Sequence, residues 1–116
     1  MKKIIIYTYF KCSTCRKAVK WLDKENLEYQ LIDIVEEPPL SKYLNLAFEQ
    51  NSEKKRIFNT RGKAFKSIDL DINGLSREKI IQLLLTDGKL IKRPFLIFGE
   101  KIILGFNESE YSNRLL

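Results

Sequence analysis

The N-terminal 35 residues confine this chain to few folds. "KIIIYTYF" (Lys3 to Phe10) is a β-branched and aromatic run that reads as a buried strand. From Ser13 onward, Ala18, Val19 and Leu22 set among helix formers give a helical stripe that closes near Asn26. "YQLIDIV" (Tyr29 to Val35) is a second strand. Strand, helix, strand at that spacing is a βαβ unit, which makes the two strands parallel neighbours in one sheet.

Pro38 and Pro39 end the second strand and open a helical section with Leu40, Tyr43, Leu44, Ala47 and Phe48 on one face. A short helix over Glu53 to Phe58 precedes the turn-like "NTRG". Ser76 then caps a helix carrying Glu78 in its first turn and Ile80, Ile81, Leu83 and Leu84 as its apolar stripe, ended by Asp87-Gly88. "PFLIF", Gly99-Glu100 and "KIIL" form a hairpin with a type II′ turn, and Asn107 with Glu110 starts a last helix through Leu115. The order predicts one α/β domain over residues 1–116: a thioredoxin-like, glutaredoxin-type four-stranded mixed sheet with a helical insertion over roughly residues 38–90.

"KCSTC" (Lys11 to Cys15) holds the chain's 2 cysteines, and the sequence has no histidine. A structural zinc site needs about four Cys or His ligands, so zinc is not expected unless two chains share it. A disulfide across two intervening residues closes too short a loop to act as a staple. Reactivity is what remains. Cys12 falls between the first strand and the first helix, where orphan N–H groups, the helix dipole, Lys11, Arg16 and Lys17 favour thiolate. Cys12 is thus the expected nucleophile and Cys15, one turn on, the resolving thiol. With no histidine to act as base, activation is electrostatic, and the same helix start suits an oxyanion. Ser13 and Thr14 read as helix-starting residues, and Trp21, Phe48, Phe58 and Phe65 as core.

No apolar run approaches the roughly 20 residues that span a bilayer, and no signal-peptide pattern follows "MKK". A cytoplasmic protein is expected, in a compartment that keeps thiols reduced. The formal net charge of +6 favours anionic partners without choosing among them. Basic residues crowd "EKKRIFNTRGKAFK", where Lys54, Lys55, Arg56, Arg61, Lys63 and Lys66 face only Glu53. That pattern reads first as a solvated face. Direct nucleic-acid binding is not expected, since no helix-turn-helix or basic-arm pattern is present.

"KCSTCRKAVKWLDKENLEYQLIDIVEEPP", "FNTRGKAF" and "LLTDGKLIKRPFLIFGEKIILGFNESEY" together resemble, in order, the ArsC family of glutaredoxin-linked arsenate reductases, Spx-type transcription regulators and smaller reductase-like proteins. The resemblance implies that Pro94 in "KRPF" is a cis-proline beside the redox cysteine. It also implies that Cys12 attacks the substrate and that Arg93 anchors an anion, with Arg61 and Arg16 as further candidates. Asn59 and Phe106 stand where arsenate-reducing members carry their second and third arginines. The resemblance therefore points to an arsenate reductase-like thiol-disulfide oxidoreductase acting on a protein disulfide or an oxyanion. No tightly bound cofactor is implied; glutathione, glutaredoxin or thioredoxin serves as reductant, and the chain acts as a monomer. The alternative it implies is an Spx-type redox-sensing regulator that binds the C-terminal domain of the RNA polymerase α subunit, supported by Thr60, Arg61 and Lys63 in a "TR-x-K" match.

Overall fold

In the computed structural model, which describes residues 3–116, β1 (Ile4–Thr8), α1 (Ser13–Lys24) and β2 (Tyr29–Asp33) form the expected unit, with β1 and β2 parallel. The helical insertion follows as α2 (Ser41–Gln50), α3 (Lys63–Lys66) and α4 (Arg77–Thr86), joined by 3₁₀ turns at Lys54–Ile57, Ile72–Gly74 and Gly88–Leu90. Then come β3 (Phe95–Phe98), β4 (Lys101–Leu104) and α5 (Glu108–Leu115). The sheet order is β2-β1-β3-β4, and β3 is antiparallel to both its neighbours. Gly99, at φ 65°, makes the hairpin turn while Glu100 keeps a negative φ, the combination a type II′ turn needs.

Strand alternation divides the interior in two. Ile4 and Ile6 of β1, Leu96 of β3 and Ile103 of β4 pack with Ala18, Trp21 and Leu22 of α1 and Tyr111 and Leu115 of α5. Tyr7, Phe95, Ile97 and Ile102 point to the other face and pack under the insertion, against Leu44, Phe48, Phe58, Ile80 and Leu84. Leu22 is fully buried, worth about 1.5–3 kcal/mol by transfer from water. α1 ends where expected: Asn26 takes a left-handed φ of 57°, with Asn26 N–H donating to Asp23 C=O and Leu27 N–H to Leu22 C=O, a Schellman closure.

Several boundaries differ from the sequence reading. β1 stops at Thr8 because Cys12 N–H donates to Tyr9 C=O and turns the chain toward α1. β2 stops at Asp33, whose carboxylate accepts from Val35 and Glu36 N–H and bends the chain. Leu40 does not join the apolar face of α2; it occupies the N-cap position and is exposed. The helix at Glu53 to Phe58 is a 3₁₀ turn, and a further short helix, α3, follows the "NTRG" turn.

Gly88 is buried where the end of α4 crosses the end of β2, and a Cβ there would lie 2.1 Å from the Ile34 carbonyl oxygen. Backbone must move to admit it. Gly88→Ala is therefore expected to cost at least about 1–3 kcal/mol, read as a lowered midpoint in urea denaturation.

Candidate active site

Cys12 immediately precedes α1 in extended backbone (φ −94°, ψ 111°), and its sulfur accepts the Cys15 N–H at 3.2 Å. A thiol thus fills the N-cap role usually taken by Ser, Thr, Asp or Asn. The turn before it is held by Cys12 N–H on Tyr9 C=O at 2.9 Å and by Arg16 Nη1 on Phe10 C=O at 2.8 Å. Cys12 is half-buried, with its sulfur at the positive end of the helix; Ser13 and Thr14 are exposed in the first turn.

Cys15, one turn further, is only 2% exposed. Its thiol is pushed up to about 12, first by burial and then by donating to the Cys12 sulfur. A backbone hydrogen bond from Tyr9 and the Arg93 guanidinium act in the opposite sense and are outweighed. The two sulfurs are close but not equivalent: Cys12 faces outward and accepts, while Cys15 is enclosed and holds its proton.

The second half of the site arrives from the far end of the chain. Arg93 is half-buried, donates Nη1 to Lys89 C=O at 3.2 Å and lays its guanidinium 4.9 Å from the centre of the Tyr9 ring. The Arg93–Pro94 bond is cis, and the buried Pro94 accepts Gly105 N–H through its carbonyl at 2.9 Å. The segment leading to Arg93 is fixed to the insertion by an isolated bridge between Phe58 and Ile91, by Lys92 N–H on Ile57 C=O and by Asn59 N–H on Leu90 C=O.

Cys12 and Cys15 are joined by the Cys15 N–H, the Arg93 guanidinium lies near enough for its charge to act on Cys15 with Pro94 next to it in the chain, and Arg16 holds the Phe10 carbonyl just before Cys12. Arg61 does not join them: it stands on the exposed turn before α3, with no hydrogen bond or ion pair among the described residues. Phe106 stacks edge-on against Tyr111 at 4.8 Å, part of the packing under α5. Among the described residues no three Cys, Asp or Glu side chains gather as a metal site would require.

Two site residues escaped the sequence reading. Tyr9 looked like the continuation of a strand but serves as the platform for Arg93. Tyr111 looked like an ordinary helix residue but is fully buried, donates its hydroxyl to Gly105 C=O at 3.0 Å and lies near enough to feel a charge on Cys15. A cleft of about 240 Å³ opens beside Cys15 between α1 and β2, with Phe10, Val19 and Leu31 along it. No spacing rule marks any of these, because each depends on which elements pack together.

The ArsC family profile matches residues 7–113, from inside β1 to inside α5. This chain belongs to the ArsC family. It is 38% identical to the uncharacterized protein YusI of Bacillus subtilis, over 93% of this chain and 94% of that one. It is 32% identical to the global transcriptional regulator Spx of Lactiplantibacillus plantarum, over 92% of this chain and 82% of Spx. Among solved structures it superimposes with a TM-score of 0.83 and 35% identity on a protein described as a possible arsenate reductase from Streptococcus mutans, over 97% and 99% of the two chains. The ArsC fold is thus present nearly end to end, and relatives with both reductase and regulator names share it.

The Cys15 environment has a pH signature. Its thiol is raised from 9.0 to about 12, so the reduced native state keeps a proton that the unfolded chain releases in that window. The sign follows: this contribution to stability is complete below pH 9.0 and is lost as pH rises toward 12. Tyr111, also raised by burial, acts in the same direction. Denaturant titrations of reduced protein across this window should decline more steeply for wild type than for Cys15→Ala.

Proposed function

We propose that this ArsC-family protein is a thiol-disulfide oxidoreductase of a reducing, cytoplasmic compartment. The observation that carries the proposal is the asymmetry of the cysteine pair. Cys12 is accessible at a helix start and its sulfur accepts an N–H, whereas Cys15 is enclosed and keeps its proton.

The chemistry follows from that asymmetry. Cys12 thiolate attacks one sulfur of a substrate disulfide, forming a mixed disulfide and expelling the other sulfur as thiolate. Cys15 then attacks the Cys12 sulfur, closing the Cys12–Cys15 disulfide; the departing substrate sulfur takes the proton that Cys15 gives up. The substrate gains two electrons and the protein loses two, which glutathione, glutaredoxin or thioredoxin returns. Arg93, steadied on Tyr9, offers positive charge to an anionic substrate group beside the cysteines, and Arg16 adds to the field at the rim. With Asn59 and Phe106 at the other two arginine positions, arsenate has a single guanidinium fork at hand, and a disulfide is the better substrate.

A coupled NADPH assay with thioredoxin or glutaredoxin as electron donor, offering disulfide, arsenate and peroxide in turn, tests this. Turnover of disulfide is expected to exceed that of arsenate and to fall by about 10³-fold or more in Cys12→Ser. Cys15→Ser should instead accumulate the mixed disulfide on Cys12, visible by mass spectrometry. Disulfide turnover that survives Cys12→Ser would refute the mechanism.

The likeness to Spx over most of the chain favours one second reading, a redox-switched regulator that binds the C-terminal domain of the RNA polymerase α subunit. Capture of that domain by one redox state and not the other, with no disulfide turnover, would establish it in place of the enzyme.

A further inference from the structure

The sequence's basic run, Lys54 to Lys66, contributes no hydrogen bond or ion pair to the cysteines among the described residues. The fold divides that run. Lys54 turns inward, its Nζ donating to Leu75 C=O at 2.6 Å and Asn73 C=O at 3.1 Å. Arg56, on the same 3₁₀ turn, instead lines three adjoining clefts that all share Leu104 of β4. Together the clefts form one groove along the free edge of the sheet. The end of α2 and the 3₁₀ turn make one wall, and Glu110 and Arg114 of α5 line the opposite side.

The floor of this groove is strand edge. Gly105 N–H bonds to Pro94 C=O, so the antiparallel ladder alternates to leave Leu104, opposite Phe95, with its N–H and C=O turned away from β3. Ile102, opposite Ile97, is turned outward in the same way. There the Gln50 side chain stands in for a fifth strand: it accepts Ile102 N–H at 2.9 Å and donates to Glu100 C=O at 2.8 Å. One exposed amide side chain therefore occupies the start of an edge that a peptide backbone could extend.

The groove carries an excess of positive charge, with Glu53 at the end of the third cleft as its one acid outside the Glu110–Arg114 pair among the described residues. Arg56, Lys92 and Lys101 line it without an acidic partner among the described residues, whereas Glu110 is taken by Arg114 at 3.2 Å. A second copy of this chain would bring the same positive edge against itself, which repulsion opposes. A nucleic acid would want exposed rings to stack on, and Phe106, the aromatic residue at the rim, is packed against Tyr111. We propose that the β4 edge binds an acidic peptide segment in extended conformation, which pairs its backbone with Leu104 and sets its carboxylates on Arg56, Lys92 and Lys101.

The test uses the full reduced chain and a short fluorescein-labelled peptide of alternating glutamate and threonine, read by fluorescence polarisation. Saturable binding is expected that weakens with added salt and falls about tenfold or more when Arg56→Glu and Lys92→Glu are combined. Circular dichroism melting checks that this double variant is folded. The same peptide N-methylated at every residue keeps its charge but loses its backbone donors, and should bind at least about tenfold more weakly. Equal binding of the methylated peptide would overturn the proposal, as would absence of binding. Tighter binding of an oligothymidylate of matched charge, or dimerisation of the chain that the double variant abolishes, would equally assign the edge to another occupant and overturn it.

Discussion

A single hydrogen bond, from the Cys15 N–H to the Cys12 sulfur, is where the architecture and the chemistry of this protein meet. The end of a helix leaves N–H groups that some acceptor must take, and here the acceptor is the reactive atom itself. Because Cys12 caps the helix it stands outside it, half-exposed at the positive end of the dipole. Because Cys15 is one turn inside, the rotation of the helix carries it onto the buried face with Ala18, Trp21 and Leu22. Two identical side chains separated by two residues thereby enter different environments, and the difference in accessibility and the firm hold of Cys15 on its proton follow without any further device.

That arrangement needs a second partner to become a site, and β3 brings it. The antiparallel pairing of β3 with β1 sets Tyr7 opposite Phe95, so the residues just before β3, Arg93 and Pro94, come alongside the residues just after β1, Tyr9 and onward. The insertion makes this meeting firm. Its 3₁₀ turn and following bridge hold residues 90–92 by backbone hydrogen bonds, Asn59 N–H donating to Leu90 C=O and Ile57 C=O accepting from Lys92 N–H, and Gly88 allows the chain to pass against Ile34. A helical insertion between the halves of a small sheet thus acts as the brace for the segment that sets Arg93 over Tyr9.

The cysteine site and the β4 edge lie on different parts of one sheet, and they depend on different properties of the chain. The cysteine site rests on the backbone at the start of α1, inside the segment over which the chain matches the ArsC family. The β4 edge rests on where the surplus of positive charge is displayed. Lys54 is consumed in tying the insertion together, while Arg56, two residues away, is displayed in the groove. Charge counted along the sequence does not reveal this division, because neighbouring side chains on a tight turn point in different directions.

Local physics determined much of this protein from its sequence. Periodicity identified the βαβ unit, the caps at Ser76 and Asn107 and the hairpin at Gly99, and the placement of "KCSTC" between strand and helix set Cys12 and Cys15 apart. These were legible because each depends on residues within a few positions of one another. Contacts between distant segments were not legible: Tyr9 beneath Arg93, Tyr111 near Cys15, Arg61 left outside the site and the Gln50 amide closing part of the β4 edge. Each of those is decided by which faces pack together once the sheet has formed, and side chains far apart in the chain carry no local periodic signal of the neighbours they will meet. Only the tertiary structure could therefore set one arginine of the scatter, Arg93, over Tyr9 and within reach of the Cys15 charge.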